Sequence, residues 1–243
     1  AKKKNAANAA SEYYRARREE WSRKMVAADA AEKNKTTDGP ALATKVVRQI
    51  PGRIIQIDHS KFTSARLGII HQALSGELKW PLYLFGEVGR GKTYLAAAIY
   101  LQWPGPASAI WMPYTVFCER CDTLRANREL VISDGFRNFE FCYESWWQYF
   151  ADAGLVVLDD LGVGEIGEAR GWRNEWVIEL LERRHKKPLI LTGNLSFDNT
   201  DTRLKPLYGV FDDRVISRLR EGRPIELFGR DLRAEEYFQE GVE

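Results

Sequence analysis

The sequence predicts an α/β protein: a parallel five-stranded sheet with helices on both faces, built around a phosphate-binding loop. Three observations predict it. Gly86-Glu87-Val88-Gly89-Arg90-Gly91-Lys92-Thr93 satisfies the pattern G-x-x-x-x-G-K-[S/T] at every fixed position. Short apolar runs alternate with helical stretches between residues 81 and 228. One of those runs, Leu155-Val156-Val157-Leu158, ends in Asp159-Asp160, and strand ends are where open α/β sheets hold their ligands.

In chain order, residues 9–35 read as a helix. Alanines are dense, and Tyr14, Trp21, Met25 and Ala28 fall on one stripe. Thr36 to Pro40 ends it. A stripe this narrow builds little core, so the helix packs back on the body or docks on a partner. Arg53-Ile54-Ile55-Gln56-Ile57 is a short strand or an extended lead-in, and residues 63–76 are helical. Pro81 to Phe85 is a strand running into the Gly-rich turn, followed by a helix through Tyr100. Ala109 to Met112 is the next strand, with helices over 114–127 and 139–151. Leu155 to Leu158 is a buried strand, followed by a helix over 172–186. Leu189-Ile190-Leu191 is a strand, 211–221 a helix, and Pro224 to Phe228 the last strand. The chain divides into a basic arm with linker, 1–52, and a nucleotide-binding domain, 53–243.

Composition narrows the function. The 243 residues are 44% hydrophobic, enough for one core and an appendage. No run approaches the ~20 apolar residues of a membrane span, and no apolar segment follows the N-terminal lysines, so a cytoplasmic protein without a membrane partner is expected. Three cysteines make no disulfide framework. Cys118-x-x-Cys121 has no second pair to complete a zinc site, and His59, His71 and His185 are scattered. The net charge of +2 is uneven: residues 1–38 hold ten basic against six acidic residues, leaving −2 for the remainder. A basic arm suits a nucleic-acid partner and suits a solvated tail equally well.

The loop carries the chemistry. Its glycines let the backbone fold round phosphates without Cβ clashes, and its N–H groups with the following helix N-terminus attract the anion. ATP and Mg²⁺ are the cofactors expected, held by Gly86 to Thr93 with Tyr94 next in line. Lys92 is expected on the β- and γ-phosphates and the Thr93 hydroxyl on Mg²⁺. Asp159 is the second candidate Mg²⁺ ligand, and Asp160 the group that orients and polarises water. Adjacent carboxylates repel, so the pair itself favours a cation. Asn194 follows the Leu189–Leu191 strand, where an amide can reach a γ-phosphate or water; Gly193-Asn194 is also ordinary turn chemistry. Arg214 and Arg218 are four apart on a predicted helix and share a face, a spacing that fits local pairing with Asp212 or Asp213.

Taken in order, the loop, Leu158-Asp159-Asp160-Leu161-Gly162, Asn194 and Asp213-Arg214-Val215-Ile216-Ser217-Arg218-Leu219 resemble the DnaC/IstB branch of AAA+ ATPases over residues 60–235. That branch includes helicase loaders and transposition helper ATPases. The resemblance implies an AAA+ core and Mg²⁺-dependent ATP hydrolysis. It also implies a homo-oligomer in which Arg218 acts on the neighbour's nucleotide, aided by Arg214. Asn194 becomes sensor 1. Gly229-Arg230-Asp231-Leu232-Arg233 resembles the branch's closing piece, making Arg233 a sensor-2-like arginine, with no separate C-terminal lid domain. The N-terminal sixty residues lie outside the resemblance, and the second acid is Asp160 where many AAA+ proteins have Glu.

DNA contacts are expected between the second strand and Asp159. Arg120, Arg125 and Arg128 are the candidates, with Arg170 and Arg173 beyond the acidic pair. The aromatic run Phe139 to Trp147 reads first as core. The reading is a DNA-associated ATPase resembling a replicative helicase loader, with a helicase as partner. The alternative is an IstB-like helper that recruits a transposase. A small-molecule kinase is weaker, because no closing lid is visible and Arg214/Arg218 would be unexplained. A non-hydrolysing switch is disfavoured by Asp160.

Overall fold

The computed structural model describes residues 47–50, 53–57, 62–104, 109–133, 138–164, 170–198 and 201–229. The helix read over 9–35 and the Arg230–Arg233 piece lie outside them. Two strands, β1 (Val47–Ile50) and β2 (Arg53–Gln56), form an antiparallel hairpin. The 52/53 division read from the sequence falls between these two strands.

Helix α1 (Ser64–Ser75) starts where the Thr63 hydroxyl accepts the Arg66 N–H and stops at Gly76, whose left-handed backbone returns its N–H to the Gln72 carbonyl. Strand β3 (Leu82–Phe85) is buried throughout and enters the Gly-rich loop. Helix α2 (Lys92–Gln102) leaves that loop. Then follow β4 (Ala109–Pro113), α3 (Tyr114–Asn127), β5 (Glu129–Ser133), β6 (Asn138–Cys142), α4 (Tyr143–Asp152), β7 (Leu155–Leu161), α5 (Arg170–Arg183) and β8 (Leu189–Gly193). The two-residue strands β9 (Leu195–Ser196) and β10 (Lys205–Pro206) pair with each other, and α6 (Asp213–Glu221) leads into β11 (Arg223–Glu226).

Five strands form one parallel sheet in the order β11-β3-β8-β7-β4. Alternating side chains separate its faces. Leu82, Leu84, Leu155, Val157 and Ile190 pack under α1 and α2. Tyr83, Phe85, Val156, Leu158 and Leu191 pack under α3 to α6. The second face is rich in aromatics. Trp146, Trp147 and Phe150 of α4 are fully buried, the latter two against Phe117 of α3; within the run Phe139 to Trp147, Phe141, Trp146 and Trp147 are core and Tyr143 is exposed.

Between α3 and α4 the structure departs from the sequence reading. The helix expected over 139–151 begins only at Tyr143, because residues 138–142 pair with β5 as an antiparallel hairpin. Leu130 lies opposite Phe141 and Ile132 opposite Phe139, and these four meet the aromatic core. Cross-strand pairing of apolar residues outweighs the helical spacing of the aromatics. Cys118 and Cys121 face the same core; the Cys121 thiol accepts the Trp146 Nε1–H at 3.4 Å, and burial pushes that thiol's pKa up.

Two residues explain how the layers join. Gly222 ends α6 where a Cβ would lie 2.0 Å from the Pro81 carbonyl oxygen, so only glycine lets β11 enter beside β3. Arg184, after α5, is buried; its guanidinium donates to the carbonyls of Phe150 and Ala153 at the end of α4 and to Pro188 ahead of β8. Carbonyls at a helix C-terminus carry negative partial charge, which favours a cation there. Burial brings the Arg184 pKa down to about 10.

Candidate nucleotide site

Strand β3 delivers the chain to the loop at the C-terminal edge of the sheet, beside the ends of β7 and β8. Gly86, Gly89 and Gly91 have φ of 139°, 80° and 77°, conformations that favour glycine. At Gly86 the restriction is doubled, since a Cβ would meet the Leu227 carbonyl oxygen at 2.6 Å. The loop is therefore seated on the exit of β11, where the Leu227 N–H donates to the Phe85 carbonyl at 2.8 Å.

Lys92 is buried at the start of α2, and its ammonium donates to the Gly86 and Glu87 carbonyls at 2.9 and 2.7 Å. The lysine thus lies back along the loop it follows. Glu87 and Arg90 form an ion pair across the loop, and that hydrogen bond holds the Glu87 pKa down. Val88 is exposed. Arg66 of α1 donates to the Arg90 carbonyl at 3.0 Å and to the Phe228 carbonyl at 3.4 Å, tying the loop to the end of the sheet. The Tyr94 ring lies 5.1 Å from that of Phe62, tilted by 33°. Sequence reading missed Arg66, for which no local signal exists.

The acids arrive on β7. The Thr93 hydroxyl donates to Asp159 Oδ1 at 3.0 Å, although 66 positions separate the two residues. The Thr192 hydroxyl of β8 donates to the same oxygen at 2.6 Å and accepts the Asp160 N–H at 3.0 Å. Asp160 has φ of 61°, and the β7–β8 register shifts between Leu158 and Leu161. Thr192 was missed by the motif reading, but a hydroxyl ending a buried apolar run must find a partner. Gly193 proves to be a packing glycine in β8: a Cβ would lie 2.8 Å from the Tyr83 hydroxyl, which donates to the Leu195 carbonyl. Burial pushes the Tyr83 pKa up.

Asn194 directly follows β8, and its Oδ1 is buried without a hydrogen-bond partner. The glycine cradle and the Thr93 and Asp159 oxygens fit a bound nucleotide phosphate with a hard cation, and the orphaned acceptor fits a hydrogen-bond donor such as water.

The remaining candidates lie elsewhere. On α6, Asp212 caps the helix by accepting from the Arg214 and Val215 N–H groups. The Arg214 guanidinium pairs with Asp212 and that of Arg218 with Glu221. Arg125 and Arg128 are exposed at the end of α3, with Arg125 5.9 Å from the Trp176 ring centroid on α5. Arg120 is half-buried beside Met112, and burial lowers its pKa. Arg173 donates to the Gly164 carbonyl at 3.5 Å. The Arg170 side chain and Arg233 lie outside the described residues.

Fold and site together define an α/β P-loop NTPase-like fold, a parallel five-stranded sheet carrying a phosphate-loop sequence and an acidic strand end. Its shape is similar to that of a solved replication initiator DnaA bound to AMPPCP and single-stranded DNA: TM-score 0.51, 17% identity, 75% of this chain and 53% of that one. A DnaA from Aquifex aeolicus bound to AMPPCP matches at TM-score 0.49 and 16% identity over 74% of this chain and 52% of that one. A DnaC helicase loader matches at 0.46 and 18%, over 68% and 86%. The chain spans about half the length of the DnaA chains it matches. No family model matches the sequence, and no curated protein does. Among the described residues no helix is long and apolar enough to cross a membrane.

Proposed function

We propose that this chain is an ATP-hydrolysing AAA+ protein of the DnaC type that works as an oligomer on DNA, with a replicative helicase as its partner. The observation that carries the hydrolysis reading is the bond from Thr93 to Asp159, which joins the end of the phosphate loop to the acidic strand end. Bound Mg-ATP would supply the scissile phosphoanhydride and the cation. Gly86 to Thr93 would hold the phosphates, with Tyr94 beside them, and Lys92 would turn from the loop carbonyls to the β- and γ-oxygens. Thr93 and Asp159 would hold Mg²⁺. Asp160 would accept the proton of the attacking water at its carboxylate. Asn194 would direct its side-chain amide to that water or to the γ-phosphate.

Arg218, with Arg214, would reach a neighbouring copy's site and neutralise charge developing there. Support comes from the Arg-x-x-Ser-Arg-Leu run and from the exposure of both arginines on α6. Arg125 and Arg128, exposed at the end of α3, are the DNA contacts favoured; Arg173 and Arg170 are secondary, and Arg120 is disfavoured by its burial. Arg233 as a sensor-2-like residue rests on the sequence resemblance alone. The test is the ATPase rate per subunit against protein concentration, with and without single-stranded and duplex DNA. A rate that rises with concentration and with DNA is expected. A rate indifferent to both removes the oligomeric model.

A further inference from the structure

We propose that Thr192 is a positioning residue that sets the Asp159 carboxylate and the Asp160 backbone together, so that β8 governs metal use and turnover while leaving nucleotide capture to the loop. The proposal rests on the nucleotide-hydrolysis reading above and assigns a role that none of the recognised motifs contains.

The pairing of β7 with β8 explains why one hydroxyl matters. Leu158 pairs with Leu191 and Leu161 with Gly193. Asp159 and Asp160 therefore both stand opposite the single residue Thr192. This is the two-against-one arrangement of a β-bulge, which interrupts the ladder and re-aims side chains. Within this irregularity the Asp160 N–H donates to Thr192 Oγ1 at 3.0 Å. A hydroxyl has one hydrogen and two acceptor lone pairs. The amide can only donate, so the Thr192 hydrogen is committed to Asp159 Oδ1 at 2.6 Å. The direction of both bonds follows from this count.

Two consequences follow for the site. Asp159 Oδ1 receives two hydroxyls, one from the phosphate loop through Thr93 and one from β8 through Thr192. The carboxylate is thereby held in one orientation before any cation arrives. Asp160 is kept at φ 61°, an uncommon conformation for a non-glycine residue, by a partner that is itself fully buried. Strand β8 ends at Gly193, and Asn194 follows it, two residues beyond Thr192, with its Oδ1 buried and unpartnered. Thr192 thus joins the strand that leads to the candidate phosphate sensor to the strand that carries the candidate metal ligand and water-activating acid.

The experiment uses the full chain and three variants: Thr192→Val keeps the shape and removes the hydroxyl, Thr192→Ala removes it with less bulk, and Thr192→Ser retains it. A fluorescent ATP analogue is titrated with and without Mg²⁺, and the ATPase rate is measured against Mg²⁺ concentration. Loss of an outer partner of a metal ligand lowers metal affinity or activity by about 10–100-fold. That loss is expected in Val and Ala as a lower kcat and a higher Mg²⁺ requirement, with Mg²⁺-free nucleotide binding kept and Ser near the wild type. Wild-type Mg²⁺ dependence in Val or Ala overturns the proposal. So does a Ser variant as impaired as Val, or loss of Mg²⁺-free binding in every variant that lacks the hydroxyl. Should the wild type bind nucleotide without turnover, the hydrolysis reading fails separately. The binding titrations still decide: a Mg²⁺-dependent gain in affinity kept in Ser and lost in Val supports the proposal, and an equal gain in all variants sinks it.

Discussion

Lys92, Thr93, Asp159 and Thr192 sit at the edge of the sheet, joined by hydrogen bonds among themselves or to the loop. Arg214 and Arg218 sit on the outer face of α6, their side chains 69% and 39% exposed. They pair with Asp212 and Glu221, two and three residues away. In the first group Lys92 is held by its own loop, and Thr93, Asp159 and Thr192 by contacts between residues far apart in the chain. The second is organised only by its own helix, and exposed pairs of that kind contribute about 0–1 kcal/mol. One region is fixed by its contacts; the other can exchange its local partners at little cost, as the trans-acting role proposed for Arg218 would require.

The sharpest way to break this contrast is Lys92→Ala. Removing the buried ammonium is expected to abolish nucleotide binding, read by titration with a fluorescent analogue; retained affinity would show that the loop is not the site. Next is Arg218→Ala, expected to lower turnover in the assembled state by about 10³-fold while nucleotide affinity and thermal stability stay as they were. A variant that loses affinity in proportion to rate would place Arg218 in the same group as Lys92. Smaller is the effect of Gly86→Ala. The added Cβ meets the Leu227 carbonyl at φ 139°, and strain of this type costs about 1–3 kcal/mol, measured by urea unfolding. An unaltered midpoint would mean the loop is not rigidly seated on β11. Smallest is Glu221→Gln, which frees Arg218 from its local pair and should change stability by less than about 1 kcal/mol.

Much of this was legible beforehand because it depends on local pattern. Strand β3, the loop and α2 follow from an apolar run, spaced glycines and Lys92-Thr93. The burial of β7 follows from four consecutive apolar residues. The hairpin of β5 and β6 was missed because Phe139, Phe141, Trp146 and Trp147 invite a helical reading. The Asp134-Gly135 dipeptide beside Leu130-Val131-Ile132 was the available signal. Gly193 read equally well as a turn residue until the Tyr83 hydroxyl was found against it.

By itself the sequence determined that a phosphate loop, an acidic strand end and a pair of arginines occur in this order on a parallel α/β framework. These depend on periodicity, glycine conformation and residue chemistry, which act over a few neighbouring positions. The tertiary structure decided that β8 lies between β3 and β7, and hence that Thr192 meets both Asp159 and Asp160. It also decided that Arg66 ties the loop to the end of β11. Strand order and the placement of a bulge depend on how the whole sheet closes under its helices, and contacts between residues tens of positions apart leave no periodic trace along the chain.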